Sequence, residues 1–334
     1  MTLLVGSASR ILADAALAAL RAPSVLNTQP WRWHIERDTA RLSADRSRRL
    51  ARIDPDGRLM LLSCGAALHH ACVTLAAGGV DFAVDPLPDQ DAPEALAIIR
   101  YRGDTAPSAT AQRLRDAIAV RWSDRRPFSG TPVPDETLER LRVTAGRPGA
   151  HLHLVRASEL VTVIAAAGHA AAAEMADPTY RAELLSWLRP AGMGRDGMPV
   201  DTITPPGVRQ VPLRDFTTAG WLPAIYSDTD VADREARYGI VVTDGDGPAD
   251  WLRAGVTLSA ALLAATADGL ATSAMSDLVE EPAARIALQR MLGDVGYPAI
   301  GVRIGVPAAG PPPPRAPRRP AAEMVEIVAE SAPG

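Results

Sequence analysis

The chain contains no lysine; all 35 of its basic residues are arginine. That absence excludes Schiff-base chemistry and the lysine of a phosphate-binding P-loop. Cysteine is nearly as scarce, with Cys64 and Cys72 alone among 334 residues. They lie in an apolar helical segment beside His69 and His70, and a zinc or redox site needs tighter spacing or more ligands, so both read as buried structural thiols. Aromatic residues make up only 4% of a chain that is 47% hydrophobic, the apolar content being mostly Ala, Leu and Val. That is ordinary for a globular protein with a sizeable core. A net charge of −4 gives no electrostatic reason to expect nucleic acid. The N-terminus has neither a basic region nor an adequate apolar run, so no signal peptide is expected. The helical run from Gly255 to Leu270, read as the most apolar, is interrupted by Asp268 and falls short of a membrane span. The expectation is a soluble cytoplasmic protein without nucleic-acid or membrane partners, of about two domains or one large one.

What the sequence does have is concentrated in Ala22-Pro23-Ser24-Val25-Leu26-Asn27-Thr28-Gln29-Pro30-Trp31. This stretch lies between a helical segment and a strand-like one, and Asn27 is the only asparagine in the chain. A connector needs one or two turn formers. Two prolines, two hydroxyls, two carboxamides and a tryptophan read either as a Pro-braced turn anchored in the core by Trp31, or as a loop presenting amide and hydroxyl groups to a flat, polar-edged ligand.

In chain order, 9–22 has helical apolar spacing, 31–37 and 40–45 read as a strand pair, and Asp54 to Gly57 as a turn. A long apolar helix from Arg58 to Ala77 stops at Gly78-Gly79. Its small residues Ser63 to Ala67 would admit another helix or a ligand ring. Strands are expected over 82–87 and 95–101, and a linker over 103–107. Beyond it come a helix over 108–120, a helix opened by Pro134, a strand over 151–155, a helix over 158–175 capped by Ser158, and a helix over 177–188. Residues 189–223 change to Gly, Pro, Met and Arg with little periodicity, too long for a plain connector, and read as a lid or binding loop. A strand over 238–243, helices over 249–267 and 281–292, a last strand over 299–306 and a Pro-rich extended arm over 307–320 complete the chain. The order is helix, sheet and helix twice over, without strand–helix alternation, which argues for an α+β fold. The expected division is a first unit over 1–105 and a second over 106–334 carrying the insert and the arm.

Three further stretches bear on chemistry. Arg121, Ser123 and Arg125 would project to one side of an extended backbone, and with Arg126 they read either as a solvated charged loop or as guanidinium forks gripping a phosphate. Arg303 lies in an apolar strand and needs a partner, for which a phosphate would serve. Gly269 to Asp277 is a run of mostly small residues that reads as a loop whose backbone N–H groups reach a ligand edge.

Together these stretches resemble the nitroreductase superfamily of FMN-binding oxidoreductases, and in particular its Acg-type actinobacterial branch, in which two nitroreductase-like units are fused. The opening stretch is similar to that family's Pro-Ser-x-x-Asn-x-Gln-Pro-Trp loop, and 121–125 to its Arg-x-Ser-x-Arg/Lys phosphate motif. The resemblance implies an α+β fold of two tandem units forming an intramolecular pseudo-dimer, so a monomer would suffice, though a homodimer stays open. It implies that Arg121, Ser123 and Arg125 hold the FMN phosphate and ribityl chain, with a further phosphate contact from Arg303. Pro23, Ser24, Asn27 and Gln29 would contact the flavin from the first half, and Ala274, Met275 and Ser276 would lie along the ring edge. Two departures stand out. The family often has Glu-Gly beside N5 where this chain has Ser276-Asp277, and residues 6–10 are a poor match to a second phosphate motif, so one flavin site per chain is expected. The implied activity is ping-pong hydride transfer from NAD(P)H through FMN to a nitroaromatic, quinone or enone. The alternative is an FMN-sequestering protein whose 189–223 insert, with Trp187, Met193, Met198 and Trp221 in or beside it, covers the flavin. A third is a scaffold without cofactor.

Overall fold

The computed structural model describes residues 6–88, 94–190, 192–203, 209–216 and 233–328. Helix α1 (Ser7–Ala19) leads into the Pro23–Pro30 loop and then the hairpin of β1 (Trp31–Glu36) and β2 (Thr39–Ala44). Along β1 the side chains of Trp31, Trp33 and Ile35 are buried while Arg32 and Glu36 face out, the alternation of a sheet with one covered face. Helix α2 (Arg58–Ala77), β3 (Val80–Pro86) and β4 (Ala95–Asp104) complete the first half.

The second half runs through α3 (Ala109–Val120), α4 (Asp135–Ala145), β5 (Ala150–Leu154), α5 (Leu160–Ala176) and α6 (Pro178–Ser186). The insert then forms a short parallel pair, β6 (Leu188–Arg189) with β7 (Met198–Pro199). After it come β8 (Arg237–Thr243), α7 (Pro248–Ala267), β9 (Ala271–Met275), α8 (Asp277–Glu280), α9 (Pro282–Met291), β10 (Tyr297–Gly305) and β11 (Val325–Val328). One sheet has the order β11-β1-β2-β4-β3 and the other β5-β8-β10-β9, antiparallel throughout except where β11 joins β1 in parallel.

The two halves meet along α2 and α7, which are buried on nearly all sides. At their crossing a Cβ on Gly65 would fall 2.0 Å from the Leu252 carbonyl oxygen, and one on Gly255 would fall 1.9 Å from that of Leu62. Glycine is required at both positions because backbone sits against backbone. Helix α2 is long and apolar enough by composition to cross a membrane, with a mean hydropathy of 1.6, yet it is mostly buried inside the fold. It, and not the stretch from Gly255, is the helix that passes that test among the described residues.

Several expectations are corrected. The stretch from Gly269 is not a loop: Ala271–Met275 is the edge strand β9, paired with β10 from Gly301↔Met275 to Gly305↔Ala271. Helix α5 is not capped by Ser158. It begins after Glu159, whose carboxylate turns back to accept from the Arg156 backbone N–H. The linker expected from Gly103 begins later, since β4 continues to Asp104. The arm does not stay with the second unit: it crosses the molecule, and β11 adds to the first half's sheet, pairing Trp33↔Val325 to Glu36↔Val328. Cys64 is buried in the core and Cys72, half-buried, packs against it. The Cys64 thiol reaches the Pro30 carbonyl at 3.3 Å, and burial pushes the Cys72 thiol up to about 12.

Candidate functional site

The Pro23–Pro30 loop is a strained piece of backbone. Leu26, Asn27 and Gln29 have φ of 45°, 56° and 50°, left-handed values that cost of order 1–3 kcal/mol each and persist only where surroundings enforce them. The enforcing bonds are visible. Ser24 Oγ accepts from the Gln29 backbone N–H at 2.9 Å, and Ser63 Oγ accepts from Val25 N–H at 3.1 Å. Asn27 Nδ2 donates to the carbonyls of Gly197 and Pro317 at 2.9 and 3.0 Å, and its Oδ1 accepts from Arg318 at 2.8 Å. Gln29 Nε2 donates to the Arg195 carbonyl, and its Oε1 accepts from the Arg319 backbone N–H. The two carboxamides therefore clasp the insert and the arm.

Two neighbouring cavities open beside this loop. The larger, about 480 Å³, is lined by Ser123, Arg125, Ser273, Ala274, Met275, Ser276, Asp277 and Leu258 from the second half, and by Pro23, Ser24, Leu59, Leu62 and Ser63 from the first. The smaller, about 130 Å³, is lined by Asn27, Arg121, Trp122, Arg315 and Arg318 among others. Pro23, Ser24, Leu26, Ser123, Arg125 and Met198 line both. Small residues on β9 leave room along one wall, and α2 contributes Leu59, Leu62 and Ser63. The larger volume falls within the roughly 300–1,000 Å³ of small-molecule sites.

The polar end is cationic. Among the described residues, Arg121 has a partner neither at Nε nor at Nη1. Burial, with the charge of Arg318 adding to it, pushes its pKa down to about 9. Arg125 is pushed to about 10 by burial, then by Arg214 and Arg303, against which Asp124 works. Both stay charged at neutral pH, and buried cations in such company favour an anion. Arg126 is not part of this set: it forks onto Asp124 at 2.7 and 3.0 Å.

Three sequence-derived roles are corrected by these contacts. Arg303 is completely buried and lines neither cavity. Its guanidinium pairs with Asp233, donates to the carbonyls of Asp124 and Arg126, and lies 3.8 Å from the Phe128 ring centroid. It braces the 124–126 backbone and is not free for a phosphate. Gln29 is fully buried and lines neither cavity. Asn27 borders only the smaller cavity, with its amide engaged by chain segments, so it does not reach the ring-sized space. Pro23, Ser24, Arg121, Ser123, Arg125, Ala274, Met275 and Ser276 do converge on the two cavities.

Other residues went unrecognised in the sequence. Asp277, at the start of α8, lines the larger cavity and is buried. Its pKa is pushed up to about 7 by burial first, opposed by Arg214 and reinforced by Glu174 and Glu280. Arg214 holds Glu174 at 2.9 Å and Glu280 at 2.6 Å, and the Tyr180 hydroxyl, with one proton to donate, lies within hydrogen-bond reach of both carboxylates. Neighbouring insert residues reach the same space. Arg209 donates to the Arg125 carbonyl at 2.8 Å and to Asp233 at 2.6 Å. Phe216 lies 5.6 Å from the Arg125 guanidinium, and Met198 Sδ is 3.2 Å from Arg125 Nη2. Of the other insert residues singled out, Trp187 has the guanidinium groups of Arg48 and Arg189 at 5.4 and 5.6 Å from its ring centroid, Met193 is exposed, and Trp221 lies outside the described residues. The signal for Asp277 was its place beside Ser276; nothing local marked Arg318 or Arg214.

No protein-family model matches the chain. A Mycobacterium tuberculosis protein named provisionally as an NAD(P)H nitroreductase is 35% identical over 312 residues, covering 92% of this chain and 89% of its own. A second from that organism, provisionally named NAD(P)H nitroreductase acg, is 32% identical over 332 residues and 96% of each chain. Among solved structures, an FMN- and NADPH-dependent nitroreductase from a Sphingopyxis strain aligns with a TM-score of 0.40 at 17% identity, over 64% of this chain and 97% of its own. At 92% and 96% of this chain, the similarity to these relatives extends across both halves. On that identity and coverage, the chain belongs to the nitroreductase superfamily.

Proposed function

We propose that the chain is an FMN-dependent NAD(P)H oxidoreductase that passes electrons to a nitroaromatic, quinone or enone acceptor. The observation that carries this reading is the pair of adjoining cavities, ring-sized at one end and lined at the other by Arg121 with two unpartnered buried nitrogens. A planar group with a phosphate tail fits that distribution of space and charge. Its relatives' provisional names point the same way.

In this reading Arg121, Ser123 and Arg125 hold the phosphate and ribityl end, with charge-assisted bonds that are the strong ones. Pro23 and Ser24 press from the first half, and Ala274, Met275 and Ser276 border the ring, so both halves of one chain build the site as an internal pseudo-dimer. When bound, FMN would supply the hydride chemistry. Asp277 holds a proton to about pH 7 at the cavity wall, where it can donate to an acceptor that has gained negative charge. Burial of that carboxyl beside Glu174 and Glu280 is what keeps the proton in place.

A specific observation favours a second reading, in which the flavin is held without turnover. Pro212, Leu213, Arg214, Asp215 and Phe216 of the insert all line the larger cavity, and Arg209 and Arg214 tie that segment to Asp233, Glu174 and Glu280. Such a cover would hinder a nicotinamide from stacking on the ring. Anaerobic addition of NADH or NADPH to the yellow FMN-loaded protein separates the two. Rapid bleaching, with reoxidation by menadione or a nitroaromatic, supports the oxidoreductase; a flavin that dithionite reduces but neither nicotinamide does supports sequestration. A colourless protein that takes up no FMN contradicts both.

A further inference from the structure

Behind the wall that carries Asp277, a row of carboxyl groups runs from the larger cavity to a third one. Asp277 and Glu174 line the larger cavity. Glu280, three residues after Asp277 on α8, lines a separate space of about 20 Å³ together with Asp54, Arg58, Trp251 and Arg285. Tyr180, on α6, joins the two ends. Its hydroxyl lies 2.9 Å from Glu174 Oε1 and within hydrogen-bond reach of Glu280 Oε2. Arg214 pairs with both glutamates, at 2.9 and 2.6 Å. Asp54 closes the row, accepting from the Leu59 and Met60 backbone N–H groups at 3.1 and 2.8 Å.

The row holds protons beyond that of the tyrosine. A hydroxyl has one proton to give, so both contacts of Tyr180 are satisfied only when one of the two carboxyls is protonated and donates to the hydroxyl oxygen. Charge asks for the same. Asp277, Glu174 and Glu280 all act on the guanidinium of Arg214, and a buried carboxylate left without a full counter-charge takes up a proton. Burial raises the Tyr180 pKa above its ordinary value and keeps the hydroxyl protonated. At the far end, burial raises Asp54 to about 6, opposed by the two helix N–H groups and reinforced by Glu280. Glu280 Oε1, on a side chain 3% exposed, has no partner among the described residues. The third cavity beside it has room for one water. Arg58, Trp251 and Arg285 on its walls are half-buried, so the cavity lies next to solvent.

We propose that Glu174, Tyr180 and Glu280, with a water held between Glu280 and Asp54, form a proton relay that reprotonates Asp277 through the third cavity. This rests on the reading of Asp277 as the proton donor of an oxidoreductase. The acceptor gains a hydride equivalent and a proton from Asp277, whose O–H bond breaks. The Asp277 carboxylate takes the proton of Glu174, and the Tyr180 hydroxyl passes its own to Glu174 as it takes one from Glu280. Glu280 recovers a proton from the water, the water from Asp54, and Asp54 from solvent. Each hop breaks one O–H bond and forms another, so water is the only co-reactant. Only Asp277 meets the acceptor; the others act through it. A supply from this side lets Pro212 to Phe216 of the insert stay over the larger cavity while the acceptor reacts.

Tyr180 and Asp54 do not line the larger cavity, so the test sets Tyr180→Phe and Asp54→Asn beside the wild type. Stopped-flow oxidation of the reduced, FMN-loaded protein is followed with menadione, which needs a proton with each hydride, and with ferricyanide, which takes electrons alone. The relay predicts that the menadione rate, relative to ferricyanide, falls ~10-fold or more in both variants. A ratio equal to that of the wild type overturns the proposal. Rates that fall together for the two acceptors assign the residues to the fold and overturn it as well. A second readout needs no flavin. In the infrared spectrum of apo-protein near neutral pH, Asp277→Asn must still show a protonated carboxyl, and its band must shift when Tyr180→Phe is added. An absent or unshifted band overturns the relay whatever the kinetics. A chain that takes up no FMN defeats the oxidoreductase reading, and the relay with it, even where the band is present.

Discussion

At the scale of single residues, the site is governed by which buried charges have partners. Arg303 is completely buried and Arg121 half-buried, with Nε and Nη1 hidden from solvent, yet the two do opposite things. Arg303 is matched by Asp233, which is itself completely buried and also receives Arg209 and the Phe128 backbone N–H. Removing one member of such a set leaves an uncompensated charge, so Asp233→Ala is expected to lower stability by about 3–5 kcal/mol in denaturant unfolding. Arg121, whose Nε and Nη1 have no partner among the described residues, is matched by the ligand in the proposed function. Asp277 gives a pH signature with a definite sign. Its folded-state pKa is raised to about 7 from an ordinary 3.8, so its contribution to stability is fully present below about pH 4 and lost as pH rises through about 7. Asp277→Asn should flatten the stability profile across that window and remove the fall in acceptor turnover near pH 7. A turnover profile identical in the two proteins would take Asp277 out of the chemistry. These distinctions were only partly legible in the sequence. Motif spacing located Arg121, Ser123 and Arg125, but whether an arginine faces a cavity or an aspartate depends on distant residues, as Arg303 and Asp233, 70 positions apart, show.

At the scale of elements, the crossing of α2 and α7 sets the distance between the halves and hence the width of the site. Gly65→Ala or Gly255→Ala would drive a methyl group into a facing carbonyl. Forcing atoms into a packed contact costs about 1–3 kcal/mol and sometimes more, and the helices must separate where Leu62, Ser63 and Leu258 line the cavity. Lower thermal stability together with weaker flavin binding is the expected outcome; Gly130→Ala, where a Cβ meets nothing within 4 Å, is the matched control. Helix and strand extents were readable because 3.6- and 2-residue apolar periods are local properties. The exception is instructive. The small residues of Ala271–Met275 suggested a loop, because local propensity does not register that β10 lies alongside to complete the ladder. The opening loop misled in a similar way. Its carboxamides were rightly seen as too many for a turn, but their partners are the distant 195–197 and 317–319 segments.

At the scale of the whole molecule, one chain supplies both sides of the site. Gly65 faces Leu252 and Gly255, while Gly255 faces Leu62 and Ala66. That reciprocal arrangement is the kind an isologous interface makes, and it supports the pseudo-dimer reading. The arm adds a second bond between the halves by contributing β11 to the first sheet. A flavin-loaded protein with the mass of a single chain in sedimentation would agree with this, whereas flavin bound only by a two-chain species would not. The return of the arm was not readable from the sequence. A Pro-rich run specifies an extended backbone, but not where it lands.

The most direct test of the account is a fluorescence titration of FMN into apo-protein, comparing the wild type with Arg121→Ala and with Cys64→Ala. The account predicts stoichiometric binding of one FMN per wild-type chain, an affinity lowered ~10–100-fold in Arg121→Ala for the loss of a charge-assisted contact, and no change in Cys64→Ala. Absence of FMN binding in the wild type, or equal affinities for the wild type and Arg121→Ala, would contradict it.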